Sequence, residues 1–117
     1  MVLRESGRVI NKAFNIEAII RPGIDVGVEG GEELLAFADA ILRTDPGALD
    51  NARLALAKRL GPTAVSAASI ITANFSKNDR IANGLGIPME AMMLDPTEDF
   101  REDFGINAYR SAANTLS

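Results

Sequence analysis

Apolar residues recur along this chain at intervals of three and four, the period that returns side chains to one face of an α-helix, and Gly and Pro punctuate the intervals. The pattern predicts four or five helices and no dependable strand. The first spans about Val2 to Ile20, with Val9, Ala13, Ile16 and Ile20 on one face, and Arg21-Pro22-Gly23 stops it. Residues 21–31 carry four glycines and a proline and read as a loop. A second helix, about Glu32 to Arg43, opens on two glutamates that suit the positive end of the helix dipole and aligns Leu34, Phe37, Ala38 and Ile41.

Asp45-Pro46 marks the next start, since Asp can accept backbone N–H bonds as an N-cap and Pro needs no donor at the first helical position. Leu49, Ala52, Leu56 and Leu60 form that helix's stripe, and Gly61 ends it. The longest helix runs from Pro62 to about Leu85, with Ala64, Ala68, Ile71, Phe75, Ala82 and Leu85 on one face, and stops at Gly86 with Pro88 beyond. Its opposite face is also small or apolar, and residues 63–75 carry no charge. That places it at the centre of the fold. Asp95-Pro96 repeats the start signal, and a last helix from about Thr97 to Leu116 aligns Phe100, Phe104, Ala108, Ala112 and Leu116. Gly105 weakens it internally by roughly 1 kcal/mol relative to Ala.

A chain of 117 residues is served by one hydrophobic core, so residues 1–117 read as a single helical domain. Five Phe and one Tyr are the only aromatic residues, and the remaining apolar material is mostly Ala, Leu and Ile. Thin side chains remove less area from water per residue, so burial between subunits would add stability, and an oligomer is expected. The net charge of −4 repels a phosphate backbone and offers nothing to anionic lipid, which weighs against nucleic acid and membrane surface, and neither is expected as a partner. Apolar stretches such as Leu34 to Ala38 are too short to span a bilayer, and Arg4 and Arg8 precede no apolar signal core, so a cytoplasmic protein is expected. The chain contains neither cysteine nor histidine, which removes thiolate nucleophiles, disulfide exchange and imidazole bases.

The segment Glu33 to Met92 resembles the carboxymuconolactone decarboxylase and alkyl hydroperoxidase D-like superfamily. The resemblance lies in the helix reading EELLAFADAIL, the Pro-initiated helix after it, and AVSAASIITANFSKNDRIANGLGIPME. Asn74, Phe75, Arg80, Ile81, Ala82, Gly86, Ile87 and Pro88 carry the last pattern. It implies an all-α, orthogonal bundle of about five helices with the Pro62–Leu85 helix as its hub, assembled as a trimer or larger ring. In that family a Cys-x-x-Cys-x-x-x-His motif on the preceding helix performs peroxide chemistry. Laid over RESGRVINKAF, the motif places its second cysteine near Val2 and its histidine near Ser6, while the first falls before Met1. The machinery is missing. What the resemblance implies is a shortened, non-catalytic relative, a homo-oligomeric binding or assembly module that a separate catalytic subunit could complete. No catalytic residue, cofactor or metal is assigned.

Asn74, Asn78 and Arg80 are the pocket or interface candidates, the two amides lying one turn apart on the long helix. Their structural reading is that the amides satisfy backbone carbonyls or a neighbouring subunit while Arg80 pairs with a carboxylate. Asp95, Glu98, Asp99, Glu102 and Asp103 form an acidic cluster around Arg101, but a helix start rich in acids is favoured by the dipole and lacks the glycine turn of a calcium loop. Asn74-Phe75-Ser76 matches a glycosylation sequon inside a helix with no secretory signal before it. The glycine loop lacks the Lys-Ser/Thr ending of a phosphate loop. Two other functions stay open: a cysteine-independent enzyme of the decarboxylase branch using Glu or Arg, and a helix-turn-helix DNA reader. The latter would place Pro88, Met89, Glu90, Ala91 and Met92 in the major groove, a carboxylate with no Lys or Arg.

Overall fold

The structure, a computed structural model, describes residues 7–10 and 12–116. Every regular element among them is helical, as the apolar periodicity predicts. Five α-helices follow the N-terminal segment: α1 (Gly31–Leu42), α2 (Pro46–Leu60), α3 (Pro62–Leu85), α4 (Glu98–Asp103) and α5 (Ala113–Leu116), joined by short 3-10 turns. The chain forms two compact units, one ending at Asn74 and the other beginning at Phe75. No helix among the described residues is long and apolar enough to cross a membrane.

In the first unit α1 packs against α2. Phe37 of α1 and Leu56 of α2 are the fully buried side chains, and Ala18, Val26 and Ala40 complete the buried apolar set. The predicted starts and stops position these two helices. Asp45 Oδ1 accepts from the Gly47 and Ala48 N–H groups at 3.0 and 3.2 Å, Pro46 opens α2, and the Gly61 N–H closes it on the Ala57 carbonyl at 2.9 Å. Such a cap stabilises a helix by about 1 kcal/mol.

The helix predicted over Val2 to Ile20 is not continuous: residues 7–9 are helical, residues 12–15 are not, and residues 2–6 and 11 lie outside the described ones. Residues 12–15 are irregular, and past them Ile16–Ile19 coils only as a 3-10 turn. Asn15 is the physical reason. Its side chain accepts from the Glu17 N–H at 3.0 Å, a local bond that competes with helix, while its own N–H donates to the Val26 carbonyl at 3.1 Å instead of to the preceding turn. Val9 and Ile20 are accordingly exposed, not members of an internal stripe.

The α3 helix has the predicted bounds but not the predicted place. None of its residues is buried, no helix with described bounds packs along it, and Ile70, Ile71, Phe75, Ile81 and Leu85 are each more than half exposed. The central hub is therefore overturned for the single chain. Its expected neighbours, a continuous first helix and a continuous last one, do not exist as such.

The last helix breaks where the sequence weakens it. α4 ends at Asp103, and Gly105 takes the left-handed conformation with φ of +64°. The N–H groups of Phe104 and Gly105 close α4 on the carbonyls of Phe100 and Glu102 at 3.2 and 3.0 Å. Tyr109 is extended, and helix resumes only at Ala113. Of the predicted stripe, Phe100 and Phe104 still meet, ring centroids 4.7 Å apart.

Urea unfolding tests both features. Leu56→Ala is expected to cost about 2–5 kcal/mol as a cavity-forming change, and Leu54→Ala, on the exposed side of α2, no more than about 0.5 kcal/mol. Gly105→Ala is expected to destabilise by about 1–2 kcal/mol, because alanine pays for a positive φ; a gain in stability, as inside a continuous helix, would contradict the break.

Candidate functional site

The Gly-Ile-Pro sequence after α3 does more than stop a helix. Gly86, at φ of +64°, donates its N–H to the Asn83 carbonyl at 3.3 Å, and Ile87 donates to the Ala82 carbonyl at 2.9 Å. This paired closure is a Schellman turn, and it brings the side chains of Ala82 and Ile87 to the same end of the helix. Pro88 prevents further helix, and the Met89 N–H then donates to Thr115 Oγ1 at 2.8 Å, pinning the chain to α5. Between these anchors the second unit has a cavity of about 390 Å³, open to solvent on one side, with Ala82, Ile87, Met89, Leu94, Ile106 and Ala112 among its walls.

Arg101 lines that cavity and is only 8% exposed. It is held by α4, whose short turn places it four residues after the buried Thr97. Arg101 Nε donates to Thr97 Oγ1 at 3.1 Å, Nη1 to Asn107 Oδ1 at 3.0 Å, and Nη2 to the Leu94 carbonyl at 2.8 Å. Thr97 in turn donates to the Met93 carbonyl at 2.6 Å. No ion pair with Arg101 occurs among the described residues, although Glu98, Asp99, Glu102 and Asp103 surround it in sequence. Those acids are exposed on α4 while the guanidinium turns inward. The second unit thus has a cationic, hydrogen-bonded centre where the first has Phe37 and Leu56; none of its described apolar side chains is buried. Burying an unneutralised charge is costly, and hydrogen bonds to neutral acceptors offset that cost only in part.

The residues singled out from sequence lie elsewhere. Asn74, Asn78 and Arg80 are all exposed on α3, and none lines this cavity. Arg80 Nε donates to Ser76 Oγ at 3.4 Å, a hydroxyl one turn back and not a carboxylate. Among the described residues no group of three acidic side chains could hold a metal ion. The helix-turn-helix geometry is not formed either, since residues 87–90 are non-helical and Ala91–Met93 makes a single 3-10 turn.

The first unit has a broader hollow of about 700 Å³ between the 18–26 segment and α1, but two of its polar groups are already engaged. Asp25 Oδ1 accepts from the Gly27 N–H at 2.8 Å, and Asp39 pairs with Arg43 at 2.8 Å. The hydrogen bond and then the charge of Asp39 raise the Arg43 pKa above its ordinary value. The Arg101 cavity is the better candidate, because its charge is buried and has no counter-ion among the described residues.

No protein-family model matches the chain, and neither a curated protein nor a solved structure is significantly similar to it.

Thr97 is the keystone of the Arg101 network. Thr97→Val, which keeps the shape and removes the hydroxyl, is expected to destabilise the protein by about 1–3 kcal/mol in urea unfolding, and Thr97→Ser to stay closer to wild type. Equal stability of the valine variant would show that the network does not brace the second unit.

Proposed function

We propose that this chain is a non-catalytic, cytoplasmic subunit of a homo-oligomer, assembled through the apolar surface of α3. The observation that carries this reading is the exposure of that helix. Phe75 is 63% and Leu85 74% exposed, Ile70, Ile71 and Ile81 accompany them, and residues 63–75 contain no charged side chain. Burying each such side chain contributes about 1.5–3 kcal/mol. Further copies of the chain suit the uncharged stretch, because a surface without charge strands no ion where copies meet. The buried apolar set of the single chain is small, five side chains among the described residues, so association adds interior that one copy lacks.

Kinship with the alkyl hydroperoxidase D-like superfamily enters here as part of the proposal. That family's long helix is expected to be enclosed, and in the single chain α3 is not, so the kinship requires other copies to enclose it. The non-catalytic part rests on composition: without cysteine or histidine the chain has neither the thiolates nor the base of that family's peroxide chemistry.

Size-exclusion chromatography with light scattering is expected to show a trimer or larger species. Phe75→Glu combined with Ile71→Glu is expected to yield a monomer of unchanged helicity, since both side chains are more than half exposed in their own chain. A wild-type monomer at micromolar concentration would remove the assembly and the kinship together. With a dithiol reductant, peroxide turnover is expected to remain at background, and turnover by metal-free protein would overturn the chemical exclusion.

A further inference from the structure

The Arg101 guanidinium has five N–H donors, and three are spent on Thr97, Asn107 and the Leu94 carbonyl. One donor remains on each terminal nitrogen, in a side chain more than nine-tenths buried that lines the cavity. Its positive charge has no carboxylate partner among the described residues. Arg101 is also the sole charged side chain in the cavity lining. A ligand that neutralised it would therefore carry one negative charge; a dianion would leave an excess charge against the same apolar walls. Two donors on adjacent nitrogens match the two oxygens of a carboxylate.

The rest of the lining sets the body of the ligand. Ile87, Met89, Leu94, Ile106 and Ala112 are apolar, and at about 390 Å³ the space is more than twice the ~150 Å³ of an apolar cavity that admits benzene. It falls within the range of ordinary small-molecule pockets, which combine apolar walls with a few fixed polar groups. We propose that this cavity binds a small organic monocarboxylate, its head on Arg101 and an apolar body of about six carbons against the Ile87 and Ile106 walls. This site lies wholly in the second unit and does not depend on the assembly proposed for α3.

The full-length protein is titrated with sodium hexanoate and, separately, with 1-hexanol, following backbone amide resonances by NMR. Saturable binding of hexanoate is expected, with shifts concentrated at Met89, Arg101 and Thr115, and 1-hexanol is expected to bind at least about 10-fold more weakly, because it forgoes the charge-assisted hydrogen bonds. Arg101→Met is expected to bring hexanoate down to the level of the alcohol. Ala112→Phe, which fills the cavity and leaves Arg101 in place, is expected to abolish binding of both. Equal affinity for acid and alcohol, absence of saturation at millimolar hexanoate, or shifts confined to other surfaces would overturn the proposal. The comparison of acid with alcohol uses the unaltered chain, so it holds even where Arg101→Met fails to fold.

Discussion

The chain's main constraint is how little apolar volume it has to bury. With no Trp and few aromatic rings, a core must be assembled from Ala, Leu and Ile, and such residues exclude water only where helices lie close together. α1 and α2 meet that condition around Phe37 and Leu56. Past Asn74 apolar residues are still present, Phe75, Phe100 and Phe104 among them, but none is fully withdrawn from water, and the second unit closes around hydrogen bonds instead. Thr97 and Arg101 are its buried residues, and the Schellman turn at Gly86 and the Met89–Thr115 bond hold the walls around them. The two units have reached different solutions to one shortage.

The local punctuation of the helices was legible because caps are short-range chemistry. Asp45 capping α2, Pro62 opening α3 and Gly86 closing it all involve groups within a few residues of one another, and the structure has each where the letters place it. The stripes were less reliable guides. Val9, Ala13, Ile16 and Ile20 have helical spacing, yet Asn15 gives its N–H to Val26, a bond across eleven positions that no local pattern reveals. Phe100, Phe104, Ala108, Ala112 and Leu116 are spaced just as regularly, and there the contrary signal was present. Within a helix Gly105 is a modest weakness, whereas here it is the position at which the chain reverses into left-handed backbone. Periodicity reports which residues could share a face, and one glycine with access to positive φ outweighed it.

Long-range placement was the other part that the sequence concealed. An uncharged helix of small residues reads as central because most such helices are covered, but covering is a property of neighbours, and two of the expected neighbours are broken. The candidate site was hidden for a related reason. In sequence Arg101 is one cation within an acidic run, and the ordinary inference is a solvated helix with internal ion pairs. Its acceptors are Leu94, Thr97 and Asn107, two of them backbone or hydroxyl oxygens and one beyond the Gly105 break. Nothing in residue type marks those three as convergent. Asn74, Asn78 and Arg80 stood out because polar residues are rare on α3, and they are rare there without being enclosed.

A buried arginine that bonds only to neutral oxygens also has a thermodynamic implication. Leucine or methionine at that position would lack the desolvation cost, and buried ionic groups replaced by apolar ones of similar size often leave a protein as stable or more so. Stability alone therefore gives a weak account of Arg101. The last-turn position on α4 returns a little through the helix dipole, but in a helix of six residues that dipole is small. A cavity beside the charge changes the balance, because an anion that enters it binds the folded chain and not the unfolded one. By linkage, such a ligand lowers the free energy of the very arrangement that is costly without it. The second unit, poor in apolar interior, would be the part of the chain to gain most from that stabilisation.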